Sequence, residues 1–365
     1  MRPGHQDHQA GAGRGDSAPP RPTPQLDPTP VGGASTAGNG RANGVLARPE
    51  AELRRESDGR ESWVFFAAQP SELLGVHADQ VARALQPGET LRYLLYSPMW
   101  EGRGGPFGIR GAPASHAVAV TEHRFMISRD EHVAGVPPEL LSIPLASVLA
   151  VESGSALMLA WLVLHYADAG VTRSATVLYR ALGRKHFVAA VRAYRSAASP
   201  ELAGGRASAP GWPAVWELVG ERYREELEPL LAEAERPLAA VAWPAVVGHR
   251  RRGHGDRPVV IAPAGAVLVT TRGLLAVGED PAVSPHSPNF GVNAVSLPCA
   301  ALRTAALEDR TTNGPCVVGL RFETGCGGAN HTTELLFPGE SLRAVEGALA
   351  PLAGHPALQR LQWSS

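Results

Sequence analysis

Val118-Ala-Val-Thr-Glu-His-Arg-Phe-Met-Ile-Ser-Arg-Asp130 and Val267-Leu-Val-Thr-Thr-Arg-Gly-Leu-Leu-Ala-Val-Gly-Glu279 are the two stretches that decide the fold. Each has an apolar run on either side of a short polar segment, a pattern that predicts a strand, a tight turn and a second strand. The second stretch starts 149 positions after the first. A pattern that recurs at such a distance indicates an internal repeat, so the sequence predicts one β-rich unit present twice.

Three further pairs of segments extend the repeat. Residues 85–98 align without a gap with 231–244, and Ser142-Ile-Pro-Leu-Ala-Ser-Val148 aligns with Ser296-Leu-Pro-Cys-Ala-Ala-Leu302. The proline in the second pair cannot donate to a ladder, which places it near a strand edge in both units. The offset grows from 146 to 154, as loop insertions would produce. The third pair consists of two β-rich runs per unit, 161–166 with 175–179 and 317–322 with 332–337.

Amphipathic helices are predicted before and after each β-rich unit. Their apolar residues recur at the three- and four-residue spacing that puts side chains on one helix face. A proline early in the third segment fits the first turn of a helix. The apolar positions are Leu74, Ala78, Val81 and Leu85 in 70–85; Phe187, Val188, Val191 and Tyr194 in 185–197; Val215, Leu218, Val219, Tyr223 and Leu227 in 212–227; and Leu342, Val345, Leu349 and Leu352 in 341–352.

These patterns divide the chain into four parts. Residues 1–60 contain no Trp, Tyr or Phe and are rich in Gly and Pro, so we expect a disordered tail. Residues 61–198 are predicted to form the first β-rich domain with its preceding helix, and 212–365 the second. Residues 199–211 have the Pro, Gly and Ser content of a flexible linker. The predicted fold class is mostly β, within the α+β class.

Composition limits the possible functions and locations. The formal net charge is -1, so no overall field attracts nucleic acid or a membrane surface. The three cysteines are odd in number and lack C-x-x-C spacing, which argues against a disulfide framework or a zinc site and favours a cytoplasmic location. The longest apolar stretch, residues 156–166, is too short to cross a bilayer and is expected to form one buried strand, so no transmembrane segment is predicted.

The order of these features resembles the bacterial pleckstrin-homology-like (PH-like) domains, in two tandem copies. The resemblance implies a bent antiparallel sheet, nearly a barrel, closed at one end by a C-terminal helix. It also implies binding rather than catalysis, with phosphorylated lipid headgroups, peptides or assembly partners as ligands in different members. Copy two departs from the pattern at Arg272 and Gly273, where copy one has His123 and Arg124. The residues that carry the resemblance are Glu89, Thr121, Arg124, Ile143, Pro144 and the helix around Phe187 in copy one, and Glu235, Thr270, Leu297, Pro298 and the helix around Leu342 in copy two.

The densest basic cluster lies in Gly248-His-Arg-Arg-Arg-Gly-His-Gly-Asp-Arg257, which we expect to be the loop after the first strand of copy two. Arginine guanidinium groups can hold phosphate through bidentate hydrogen bonds, and protonated histidines can add charge. A solvated loop without a ligand would have the same composition. Arginines beside the histidines would repel a cation, so a metal site is not predicted here. The candidate anion-binding residues are His249, Arg250, Arg251, Arg252, His254 and Arg257.

Three functional hypotheses follow. The first is a non-catalytic tandem binding or scaffold protein that holds a protein or peptide partner, since two linked modules raise the effective concentration for a bivalent target. The second is peripheral attachment to anionic lipid through Arg250–Arg252 at the inner face of the membrane. The third is an enzyme of unrecognised type; the sequence contains no nucleophile elbow, zinc-protease, P-loop or dinucleotide motif, and we assign no catalytic residue, cofactor or metal. Nucleic acid is the least favoured partner.

Overall fold

The computed structural model describes residues 64–98, 114–132, 135–156, 158–198, 211–252, 255–279, 291–311, 314–352 and 361–363, with the backbone alone for 250–252, 255–257 and 361–363. The predicted disordered tail and nearly all of the predicted linker lie outside these residues. Below, "first half" means the described residues up to 198 and "second half" those from 211.

The described residues form eighteen strands and five α-helices. The helices are α1 (Val76–Ala84), α2 (Arg184–Ala198), α3 (Trp212–Val219), α4 (Glu221–Leu227) and α5 (Leu342–Leu349). The strands are β1 (Phe65–Phe66), β2 (Leu91–Ser97), β3 (Ser115–Thr121), β4 (Arg124–Asp130), β5 (Glu139–Pro144), β6 (Val148–Ala156), β7 (Leu159–Asp168), β8 (Val171–Arg180), β9 (Pro237–Trp243), β10 (Val246–Arg252), β11 (Gly255–Ala262), β12 (Gly265–Thr270), β13 (Gly273–Glu279), β14 (Gly291–Pro298), β15 (Leu302–Asp309), β16 (Val317–Cys326), β17 (Ala329–Pro338) and β18 (Leu361–Trp363).

The strands form four sheets, and within the described ranges no sheet closes on itself. One sheet has the order β1-β2-β3-β4-β5, and a second contains β10 and β11 alone. The third has the order β8-β7-β6-β14-β13-β12-β9, and the fourth β17-β16-β15-β18. The pairing is antiparallel except between β15 and β18. The predicted mostly β class is confirmed, as are the strand–turn–strand segments, which are β3–β4 and β12–β13.

The seven-stranded sheet joins the two halves of the chain. Strand β6 of the first half pairs with β14 of the second, from Val151 opposite Ser296 to Ala156 opposite Gly291. All residues of β12 are buried, and its side chains alternate between two hydrophobic cores. Leu268 packs into the larger core, which includes α2 and α3, whereas Val267 packs into the core beneath α5. This sheet is therefore the wall between the cores, which explains why β12 has no polar face.

The helices confirm the predicted apolar stripes with two exceptions. Phe187, Val191 and Tyr194 of α2 are buried, as are Val345 and Leu349 of α5. Burial of such side chains stabilises the fold by roughly 1.5–3 kcal/mol each.

The exceptions are Leu74 and Leu218, predicted to face the core but 55% and 62% exposed. Leu74 precedes α1, which begins only at Val76, so helical spacing does not apply to it. Leu218 lies just before Gly220, whose φ of 80° ends α3 and starts α4 as a separate helix. The one predicted buried strand in 156–166 is also wrong, because Ala156 ends β6, Leu159 begins β7, and Met158 between them is 69% exposed. None of the helices in the described ranges is long and apolar enough to cross a membrane.

Candidate functional site

The predicted basic loop is a pair of strands. Strands β10 and β11 pair antiparallel, with Arg250 opposite Arg257 and Arg251 opposite Asp256. The reason is that the apolar residues on both sides of the cluster pair with each other and extend the ladder to Arg252 and Gly255. His249 is exposed, and the side chains of the four arginines and of His254 lie outside the described residues.

In the first half, Glu89, Thr121 and Arg124, three of the residues on which the resemblance rests, form a partly buried polar network. Thr121 Oγ1 donates to Glu89 Oε1 at 2.6 Å, and Arg124 Nε donates to the same oxygen at 2.9 Å. Arg124 also donates to Ser142 Oγ at 3.2 Å. The hydrogen bond from Arg124 lowers the pKa of Glu89 to about 2, although burial opposes ionisation. These residues hold the first strands of the sheet together, and they hydrogen-bond one another rather than a ligand.

The second half contains the same arrangement with one substitution. Thr270 Oγ1 donates to Glu235, as Thr121 does to Glu89, but Gly273 stands where the first half has Arg124. The guanidinium comes instead from Arg195 of α2, which donates to Glu235 and to Ser296 Oγ. The side chains of Arg195 and Glu235 are only 2% and 0% exposed. An arginine of the first half thus completes the network of the second.

A serine, a histidine and an aspartate in the first half approach the spacing of a nucleophilic triad. Ser115 Oγ is 2.8 Å from His132 Nε2, and His132 Nδ1 is 3.2 Å from Asp130 Oδ2. Ser115 is, however, 1% exposed, and its hydroxyl is also 2.8 Å from His77 Nε2. A nucleophile must be reachable by substrate. This network is therefore structural in the arrangement that the structure shows.

Two surface clefts are lined by described residues. One, of about 410 Å³, lies between the five-stranded and the seven-stranded sheet and is lined by His116, Arg129, Tyr166 and Arg173 among others. Burial, together with the charge of Arg129, lowers the pKa of His116 to about 3, so its ring is neutral at pH 7. The other, of about 760 Å³, runs along α3 and α4. Neither cleft includes Ser115 in its lining.

The edge of β15 is the clearest docking geometry in the described ranges. One side of β15 pairs with β16, and the other accepts β18 as an added parallel strand. The added strand is short: Leu361, Gln362 and Trp363 pair with Ala305, Ala306 and Leu307. Apolar side chains of β15 share a core with α5. The sequence of β15, Leu302-Arg-Thr-Ala-Ala-Leu-Glu-Asp309, does not reveal this edge, because strand pairing at long range leaves no local pattern.

A third group of side chains brings the halves together. Glu152 on β6 and His165 on β7 meet His331 on β17, and their ligand atoms all lie within 4.8 Å of one another. No role was predicted for His165 from the sequence. The three residues lie far apart along the chain, and the spacing rules for metal motifs do not detect such a cluster.

No protein-family model and no curated protein matches the chain significantly.

Proposed function

We propose that this protein is a non-catalytic binding or scaffold protein of two PH-like units, and that the β15 edge holds an extended peptide segment of a protein partner. Support for the two units comes from their element order. Strands β2–β8 precede α2, and β9 with β12–β17 precede α5, with β10 and β11 as an insertion.

The hydrogen bonds of the two halves support the same proposal. Glu89 and Glu235 each accept from the threonine at the end of the second strand of their unit. In each half the carboxylate also accepts from a backbone N–H three residues earlier, that of Gln86 or Ala232. Matching contacts at matching positions are expected of a duplicated unit.

The binding mode follows from a comparison of the last three strands before the closing helix in each half, β6–β8 and β15–β17. Strand β6, which begins such a set in the first half, has its edge filled by β14. Strand β15 begins the corresponding three strands in the second half, β15–β17, and among the described residues its edge is paired with β18 along three residues. An unpaired strand edge presents N–H and C=O groups that an extended peptide can satisfy, which supplies affinity without a deep pocket. The single observation that carries the proposal is that β18 already occupies this edge as a strand.

The test uses a chain truncated after Leu352 and a fluorescent peptide of residues 357–365. We expect saturable binding by fluorescence anisotropy, and competition by the unlabelled peptide. N-methylation of single peptide amides provides the control, since a parallel ladder uses alternate residues of the added strand. Methylation should therefore abolish binding at alternate positions and leave it intact between them. Absence of binding, or equal tolerance of methylation everywhere, would contradict strand addition at β15.

A second candidate function is peripheral binding of anionic lipid by the β10–β11 pair. The favouring observation is that this pair forms its own sheet and exposes Val247 and Ile261 to 51% and 38%, in the same two strands as the arginines. Exposed apolar side chains next to basic residues suit an anionic membrane surface.

Co-sedimentation of the full chain with neutral and anionic vesicles at low and physiological salt tests this candidate. The variant carries alanine at Arg250, Arg251 and Arg252, and the control carries alanine at three other arginines whose side chains are exposed, with the same change in net charge. Loss of anionic-vesicle binding in the variant alone would support it, and equal behaviour of the two would refute it. The control positions are Arg83, Arg92 and Arg173.

A further inference from the structure

Glu152, His165 and His331 present one carboxylate and two imidazoles at the contact between the halves. His165 Nε2 lies 3.0 Å from Glu152 Oε1. The rings of His165 and His331 stack with centroids 4.0 Å apart and planes 21° apart. All three residues are half-buried, so an ion can reach them from solvent. Nitrogen and oxygen donors in this combination suit zinc and related divalent transition metals, whereas calcium and magnesium prefer oxygen donors alone.

Outer residues hold the ligands in orientation. Ser174 Oγ lies 2.8 Å from His165 Nδ1 and holds that side of the ring. The other nitrogen, Nε2, contacts Glu152 Oε1, and an ion between these two atoms would replace that hydrogen bond. The side chain of Asn293 on β14 hydrogen-bonds Glu152. Such outer contacts are typical of metal sites because they fix the ring tautomer and the carboxylate direction. They come from both halves, as the ligands do.

From this geometry we infer that Glu152, His165 and His331 form a binding site for a divalent transition metal of the zinc class, which links the first half to the second. A metal lies in the plane of each imidazole that binds it, and two stacked rings cannot both point at one ion. Binding therefore turns the His331 ring out of the stack. Its contact with Thr333 Oγ1 is 3.4 Å long and easily broken. A solvent molecule completes the fourth position of a tetrahedral ion.

The test is zinc titration of the chelator-treated full chain in competition with a chromophoric chelator. The variants are His165→Ala and His331→Ala, and the matched control is His123→Ala, an exposed histidine that also lies next to a glutamate, Glu122. We expect one zinc ion per chain, with affinity at least about 10-fold lower in each variant and unchanged in the control. Zinc should raise the melting temperature of the wild type and of the control but not of the variants.

Cobalt replaces zinc to identify the donor atoms. A spectrum without the near-ultraviolet thiolate band is expected from histidine and carboxylate ligands, whereas Cys316 or Cys326 would produce that band. If either histidine variant fails to fold, Ser174→Ala provides a second test. It keeps all three ligands and should still lower the affinity for zinc by about 10-fold. The inference is overturned if His331→Ala and Ser174→Ala bind zinc as tightly as the wild type. It is also overturned if the cobalt spectrum is that of a thiolate site.

Discussion

Replacing Arg195 with alanine is expected to lower the free energy of unfolding by about 3–5 kcal/mol, because it leaves a buried carboxylate without its cation. The side chain of Arg195 is 2% exposed and that of Glu235 is fully covered, so water cannot replace the guanidinium. The carboxylate keeps hydrogen bonds from Thr270 at 2.5 Å and from the Ala232 N–H at 2.8 Å. These remaining donors place the expected loss near the lower end, at about 3 kcal/mol.

Urea unfolding followed by tryptophan fluorescence measures this loss. Tryptophans lie on both sides of the contact, and because β6 pairs with β14 we expect one cooperative transition for the two halves. Arg124→Ala is the matched control: its side chain is 17% exposed, so solvent can partly compensate and the loss should be smaller. The double variant Arg195→Met with Glu235→Leu should lose less than Arg195→Ala alone, since no buried charge remains. A loss below about 1 kcal/mol for Arg195→Ala would refute the argument that this ion pair is deeply buried.

Other changes test the fold in the same unfolding assay. Gly273→Ala should lower the free energy of unfolding by about 1–3 kcal/mol, because φ is 147° and an added Cβ would clash with the Leu297 carbonyl oxygen. Gly347→Ala should instead raise it by roughly 0.5–1 kcal/mol, because this glycine lies in a helix with open space around it. Tyr194→Phe should leave stability unchanged or raise it by up to about 1 kcal/mol, since the buried hydroxyl has no hydrogen-bond partner, and a clear loss would contradict this. Because the folded-state pKa of Glu89 is lowered to about 2, its contribution to stability is complete above its ordinary pKa near 4.5 and lost as the pH falls towards 2. An unfolding series over that range should show less pH dependence in Arg124→Ala.

The structure also explains why residues that the sequence marks most strongly are not a ligand site. Glu89, Thr121 and Arg124 hydrogen-bond one another, so they help to specify the sheet, and most of the donors of Arg124 are used within the protein. The unusual Gly273 looked like a loss of the pattern in the second half. It is accommodated because Arg195 supplies the missing guanidinium from another element.

Patterns within ten to fifteen residues were enough to predict the strands around the turns at Thr121 and Thr270 and the buried stripe of α2. Hydrophobic periodicity acts over one or two turns of a helix or one strand, and such local preferences are written directly in the sequence. The prediction from periodicity failed at Leu218, which was expected to be buried, because the helix ends at Val219 and the chain turns at Gly220.

Only the tertiary structure decided which distant residues meet. The pairing of β6 with β14, the ion pair of Arg195 with Glu235 and the approach of His331 to Glu152 join residues about 40 to 180 positions apart. Such contacts depend on how whole sheets pack and on which edges remain open, and no residue spacing encodes them. The amino-acid sequence by itself determined most of the strands and helices, whereas tertiary packing decided which strand edges pair and brought His331 to Glu152 and His165, because these contacts join residues far apart along the chain.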